Sequence, residues 1–215
     1  MEHEPREVTE LYEGVRRVLD SADDQGRKIG DCKYGVYLFL DYDGEPIYVG
    51  QTRESLRNRI RRHLTNQRTD AVAMSVLDPF EVAEIEMWPF WNVSPKKAHQ
   101  ILRRAEYTVY CHALKGSTFQ AILNEGEIVE AEFIALPSSV RVRILADESY
   151  KMREHPDIRL ARRARTIANL ARIISERKVK IGIRRTLLAQ ARRLEALARK
   201  RLDDLIAEQA LDPDQ

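Results

Sequence analysis

The chain has 215 residues, a third of them charged, with a formal net charge of +2. That is enough for one well-buried domain with an appendage, or for one larger domain. No apolar run is long enough to span a bilayer, and the acidic N-terminus is not a secretory leader; Cys32 and Cys111 alone set no disulfide framework or zinc spacing, so reduced thiols in a cytoplasmic protein are expected.

Residues 5 to 20 read as a short amphipathic helix, with Val8, Leu11, Tyr12, Val15 and Leu19 at three-and-four spacing. A polar stretch from Asp20 to Asp31 follows. Tyr34 to Leu40 is rich in β-branched and aromatic residues, Asp41 to Pro46 is a turn by composition, and Ile47 to Val49 resumes a strand. Together they predict an antiparallel hairpin with Tyr37 and Tyr48 near its body. Ser55 is a helix cap, and Leu56, Ile60, His63 and Leu64 share one side of the helix it opens. Residues 66 to 80 read as loop around one short helical piece. Val82 to Trp88 alternates apolar and acidic residues and predicts a third strand, either face of which can be the buried one; Pro89 ends it. Residues 98 to 114 predict a helix with Ile101, Leu102, Ala105 and Val109 inward. A Lys115 to Thr118 loop follows, and Val140 to Ile144 is a candidate further strand.

After Pro156 the character changes. Residues 157 to 176 and 183 to 209 predict two helices separated by Gly182. The second carries an apolar stripe of Leu187, Ala191, Leu194, Ala198, Leu202 and Leu205, which must be buried on the rest of the chain or on a second subunit. Residues 1 to 24 hold eight acids against three bases, and residues 157 to 203 hold fifteen bases against four acids. The near-neutral total therefore hides a strongly basic segment. The expected division is 1–30, an N-terminal helix and linker; 31–145, a mixed α/β unit; and 146–215, a helical region for DNA binding or dimerisation.

The chemistry concentrates in Gly35-Val36-Tyr37, Tyr48-Val49-Gly50 and the helix bearing Arg59 and His63. Arg59 and His63 are one turn apart and share a face. A guanidinium offers a planar fork to phosphate oxygens, an unperturbed imidazole titrates near neutrality, and Glu106 on a later helix supplies the hard oxygen that Mg²⁺ prefers. Read blandly, the tyrosines are core residues, Arg59 is one of several solvated arginines, and His63 is a helix-end histidine. Glu127, Glu130 and Glu132 are rivals to Glu106.

These motifs resemble the GIY-YIG nuclease family over roughly residues 34 to 125. The resemblance implies an α+β fold, a small three-stranded antiparallel sheet flanked by helices, here with a basic helical hairpin appended. It implies catalytic roles for Tyr37, Tyr48, Arg59, His63, Glu106 and Asn124, and one divalent ion, Mg²⁺ with Mn²⁺ as substitute, on Glu106. Tyr37 would accept the proton of the attacking water, Arg59 would stabilise the transition state, and Asn124 would buttress the site. Asn124 stands eighteen residues after Glu106, beyond an inserted Lys115 to Thr118 loop, which departs from the family pattern.

DNA is the expected partner, met by Arg57, Arg62, Arg163, Arg177, Lys180 and Arg185 among the bases of the helical segments. A homodimer through the C-terminal helices is the other expected use of that region. The leading reading is a metal-dependent DNA endonuclease, in its narrower form a site-specific or restriction-type enzyme. The alternatives are a non-catalytic DNA-binding module that kept the fold, and a helical interaction protein.

Overall fold

The computed structural model describes residues 5–65, 76–124, 126 and 128–211. Helix α1 (Arg6–Leu19) leads through a short 3₁₀ turn (Ile29–Asp31) to β1 (Gly35–Leu40), β2 (Pro46–Thr52) and α2 (Leu56–Thr65). A second 3₁₀ turn (Pro79–Glu81), β3 (Glu84–Pro89) and α3 (Pro95–Gly116) follow, then β4 (Val140–Arg143), α4 (Asp147–Glu154), α5 (Pro156–Glu176) and α6 (Ile181–Leu211). The sheet is antiparallel in the order β2-β1-β3-β4, so the candidate fourth strand joins the three expected ones. The expected helical piece between 66 and 80 falls largely outside the described residues.

β1 is one of the two inner strands, and both of its faces are covered, which is why its six residues are all buried. Tyr37 and Phe39 point to one side, where Ile85 and Met87 of β3 meet Leu11, Val15 and Val18 of α1 and Leu56, Ile60 and Leu64 of α2. Val36, Leu38 and Leu40 point to the other, with Val49 and Trp88, under Ala98, Leu102, Ala105 and Val109 of α3. The buried face of β3 beneath α1 and α2 is therefore that of Ile85 and Met87, while Glu84 meets Arg141 and Glu86 meets Ser139 at the β4 edge. Ser55 caps α2, its Oγ accepting from the Asn58 N–H at 3.1 Å.

The β1–β2 turn is built around Asp41, whose Oδ1 accepts from the amides of Asp43 and Glu45 at 2.9 and 3.0 Å, with Gly44 at φ 71°. That turn is where α5 and α6 dock. Arg163 donates to Asp41 at 2.8 Å and to Glu81 at 3.1 Å, and Arg159 grips Asp43 with two bonds of 3.0 and 2.6 Å. Arg193 donates to the carbonyls of Pro46 and Ala121 at 2.7 and 3.1 Å. All three arginines are buried, at 2%, 5% and 1% exposure for Arg159, Arg163 and Arg193. Leu170, Ile183 and Ala189 complete the dock within the same core as α1 and the sheet.

Two expectations need correcting here. The buried face of α6 is Ile183, Thr186, Ala189, Gln190, Arg193 and Leu197, rotated from the expected leucine stripe, of which Leu202 and Leu205 are exposed. The turn beneath α6 is acidic, so an arginine occupies the contact that apolar spacing alone assigns to leucine. Gly182 lies inside the first turn of α6; the break falls at Arg177, whose extended backbone (φ −138°, ψ 154°) ends α5. Among the described residues no helix is long and apolar enough to cross a membrane.

Candidate active site

The two tyrosines come from adjacent strands and the same face, because Tyr37 pairs with Gly50 and Phe39 with Tyr48. Both glycines of the paired tripeptides are set by space. A Cβ on Gly50 would stand 2.5 Å from the Tyr37 hydroxyl, and one on Gly35 would stand 2.8 Å from Leu56 at the start of α2. Gly50 thus lets the Tyr37 ring cross β2, and Gly35 lets α2 close down on the strand.

The rings of Tyr37, Tyr48 and His63 form a triangle. Tyr37 and Tyr48 are nearly parallel with centroids 6.2 Å apart, and His63 lies 5.0 Å from Tyr48 and 6.0 Å from Tyr37. Burial, then the positive charges of Arg59 and Arg62, push the His63 imidazole down to about 4. It is neutral at pH 7 and can accept a proton or a hydrogen bond, unlike the near-neutral titration expected of an unperturbed histidine. Tyr37 is fully buried, and burial followed by the neighbouring Tyr48 holds its phenol well above the usual value, with the Arg59 charge opposing them. The Tyr37 hydroxyl and Arg59 Nε are both enclosed without closing a hydrogen bond of good geometry. Such polar atoms mark a place where a further group belongs.

Arg59 lines an open cleft of about 530 Å³ with Gln51, Thr52, Arg53, Glu54 and His99. Glu106, on α3, reaches the same region around the β2 edge: its Oε2 accepts from Gln51 Nε2 at 2.9 Å. Burial raises its carboxyl, opposed by that bond and by Arg59. Glu106 fits Mg²⁺ as a hard oxygen donor facing an arginine-lined cleft, since such sites use one or two protein carboxylates and fill the rest with water and phosphate. Among the described residues no cluster of three or more His, Cys, Asp or Glu side chains could hold a metal. Glu130 and Glu132 lie apart, on a segment whose carbonyls accept from Arg103 and Arg104; Glu127 lies outside the described residues.

Asn124 meets β2 directly. Its Oδ1 accepts from the Val49 N–H at 3.2 Å and its Nδ2 donates to the Val49 carbonyl at 2.7 Å, while the Leu123 N–H donates to Ile47 at 2.8 Å. The side chain stands in for a neighbouring strand between Tyr48 and Gly50, so the long insertion still delivers an asparagine to the site's edge.

The expected DNA contacts divide. Arg177, Lys180 and Arg185 are exposed, and Arg62 is exposed and paired with Glu54. Arg57 instead ties α2 to Asp20 and Asp31 at 2.8 and 2.9 Å and to the Leu19 carbonyl. Arg163 is buried on Asp41 and Glu81. Arg163 faces no open surface and Arg57 is half-buried, because acids far away in sequence recruit them. His99 was not singled out by sequence. His99 stands seven residues before Glu106, two turns along one helix face, and that spacing was the available signal.

Residues 33–99 match the family model of the GIY-YIG catalytic domain. The resemblance carried by the paired tripeptides is borne out over that stretch, and with it a nuclease-type function and nucleic acid as substrate. The match includes Tyr37, Tyr48, Arg59 and His63 and ends before Glu106 and Asn124. Neither the search of curated proteins nor that of solved structures yields a significant match to the chain.

Proposed function

We propose that the chain is a divalent-metal-dependent endonuclease that hydrolyses DNA phosphodiester bonds, with a site-specific, restriction-type action as its narrower form. The observation that carries this is the convergence of the Tyr37, Tyr48 and His63 rings with Arg59 and Glu106 at one edge of the sheet. A structural hairpin has no need to enclose the Tyr37 hydroxyl beside Arg59 with the Nε of that arginine left unbonded. A non-catalytic binder has no need of the set at all.

In this reading Arg59 places its fork on the non-bridging oxygens of the scissile phosphate, where charge develops. Ionised to a phenolate, the Tyr37 oxygen, aimed by the space that Gly50 leaves, takes the proton of the attacking water. Its buried phenol resists ionising, so the positive charge of Arg59 and of the site's cation has to offset that burial. Neutral His63 orients the two tyrosines, Gln51 orients Glu106, and Asn124 steadies β2. Mg²⁺ or Mn²⁺ held by Glu106 would neutralise charge on the phosphate and on the leaving oxygen.

The division of labour we assign is catalysis to 31–145 and DNA binding and dimerisation to 146–215, in the cytoplasm, where Cys32 and Cys111 remain thiols. One feature favours a dimer. Arg201 of α6 meets Asp157 at the start of α5, so residues 202–211 run past the end of the shorter helix with Leu202, Leu205 and Ile206 exposed. An antiparallel second copy would cover this apolar overhang. Light scattering after gel filtration should give about twice the 25.0 kDa chain mass. A chain-mass peak at every loading concentration removes the dimer.

The deciding experiment incubates the protein with supercoiled plasmid and Mg²⁺ or Mn²⁺, beside EDTA, Glu106→Ala and Tyr37→Phe. Nicked or linear products that disappear in all three controls support the reading. Wild-type protein that binds DNA and never cuts it moves the chain to the binding-module reading.

A further inference from the structure

The open cleft beside Arg59 extends past the catalytic groups. One end is Gln51, whose amide holds Glu106; the other is Arg53, on the turn after β2, with His99 on α3. Arg53 stands two residues beyond Gln51, about 7 Å of extended chain, and His99 seven before Glu106, about 10 Å of helix. Both steps lead away from the reacting groups into the same space, over about two or three of the roughly 3.4 Å rises of a DNA strand. The turn that carries Arg53 is fixed. The Thr52 hydroxyl donates to the Ser55 carbonyl and accepts from the Glu54 N–H, each at 3.2 Å, and Ser55 in turn caps α2. Arg53 therefore has a set place between the strand of Tyr48 and the helix of Arg59.

We propose that Arg53 and His99 hold a flanking phosphate of the cleaved DNA strand, so that the cleft is a two-phosphate site with Arg59 on the reacting group. The inference rests on the nuclease reading and adds a substrate contact to it. Both side chains are exposed, and among the described residues neither has a hydrogen bond or an ion pair. The carboxylate that lines the cleft, Glu54, is bonded to Arg62 of α2, so its charge is engaged there and Arg53 and Arg59 leave the cleft cationic. A guanidinium supplies charge and a fork of donors for phosphate oxygens. An imidazole carries at least one N–H in either protonation state, so His99 can grip the same anion from the α3 side. The cleft's volume of about 530 Å³ lies within the about 300–1,000 Å³ of ligand sites, which leaves room for a nucleotide. Binding a phosphate that does not react fixes the one that does, because contacts to the backbone set the register of the strand.

The test is binding of a fluorescent mixed-sequence duplex by anisotropy across a KCl series, without divalent metal, beside the plasmid assay. Arg53→Ala should lower the slope of log K against log salt by about 0.9, the share of one phosphate contact, and weaken binding at every salt concentration. Arg53→Lys, which keeps the charge, should restore most of the slope. Lys151→Ala is an equal loss of charge on the exposed side of α4, whose Tyr150 packs on Tyr42 past the opposite end of β1. It should leave the slope nearly unchanged. His99→Ala should weaken binding about tenfold, and much less in the Arg53→Ala background, because the two grip one phosphate. Should an alanine variant lose its helical circular dichroism, Arg53→Gln alone decides, with the same expected loss of about 0.9. An unchanged slope in the Arg53 variant, where wild-type protein binds and cuts DNA, overturns the subsite and leaves the nuclease reading standing. An equal loss in Lys151→Ala overturns it too, because bulk charge then suffices. Full additivity of Arg53→Ala and His99→Ala also overturns it, because the two then act on separate groups. Wild-type protein without DNA affinity overturns both readings.

Discussion

Gly50→Ala tests the packing argument at the heart of the site. The new Cβ would stand 2.5 Å from the Tyr37 hydroxyl oxygen, 2.6 Å from its Cζ and 3.0 Å from Tyr48 Cε1. Ordinary contact begins near about 3.5 Å, so the Tyr37 ring has to retreat by about 1 Å. It has little room: the residue is fully buried, with Phe39, Tyr48 and His63 at ring-centroid distances of 5.2, 6.2 and 6.0 Å. Overpacking of this kind costs about 1–3 kcal/mol, and a misplacement of about 1 Å at a reacting group costs about 100-fold in rate. Urea unfolding and initial rates of plasmid nicking read the two effects separately. Gly44→Ala is the contrast, since Gly44 has a φ of 71° and its missing Cβ would meet only the Arg141 guanidinium, at an ordinary 3.8 Å. It should lose about 1 kcal/mol through backbone strain and keep its nicking rate. A Gly50→Ala protein within about 0.5 kcal/mol and threefold of wild type would refute the reasoning, because typical core overpacking exceeds that.

Arg163→Ala strands Asp41 and Glu81 in the interior and should cost about 3–5 kcal/mol by urea unfolding; Arg177→Ala, on an exposed residue, should stay within about 0.5 kcal/mol, and equal effects would show that burial is not what matters. Burial, against the pull of Arg163 and Arg159, pushes the Glu81 carboxyl up to about 7. The folded state then binds this proton more tightly than the unfolded chain, so the contribution is present below the ordinary value of 4.5 and is lost as pH rises through 7. Stability should fall by about 1–3 kcal/mol from pH 5 to pH 8, with Asp41 and Asp78, also raised by burial, acting in the same sense. A rise over that window, or an unchanged fall in Glu81→Gln, contradicts the assignment. With His63 pushed down to about 4, nicking rates should show no inflection near 6.5. An inflection there that vanishes in His63→Gln would mean the imidazole titrates as an ordinary one.

Much of the catalytic half was legible because its signals are local. Tyr37 and Tyr48 fall on paired strands by alternation, and Arg59 and His63 fall on one helix face by spacing. The two glycines could be seen but not explained, because the space they leave is filled by side chains from other elements. β3 was readable as a strand and ambiguous in its facing, since Glu84 and Glu86 find partners in Arg141 of β4 and Ser139 just before it, far along the chain. Asn124 looked too distant from Glu106 along the chain. The insertion matters less than separation suggests, because the asparagine amide reproduces a strand's donor and acceptor at Val49.

The basic helices were the hardest part, for a physical reason. Composition counts charges without depth, and Arg163 lies 122 residues from the Asp41 that neutralises it. A weak signal existed: Asp41, Asp43 and Glu45 crowd one short turn without a nearby base, and Arg159 and Arg163 stand one turn apart. With those arginines spent inside, part of the basic segment holds the helices onto the sheet instead of facing a partner. Arg193 fixes α6 to the start of β2 and to the segment that carries Asn124, so the charges left on its surface hold a set position beside Glu106. Arg193 thus gives α6 a fixed frame. Loosening that frame should weaken DNA positioning before it weakens bulk electrostatic attraction, because positioning depends on where a charge sits and attraction mainly on how many there are.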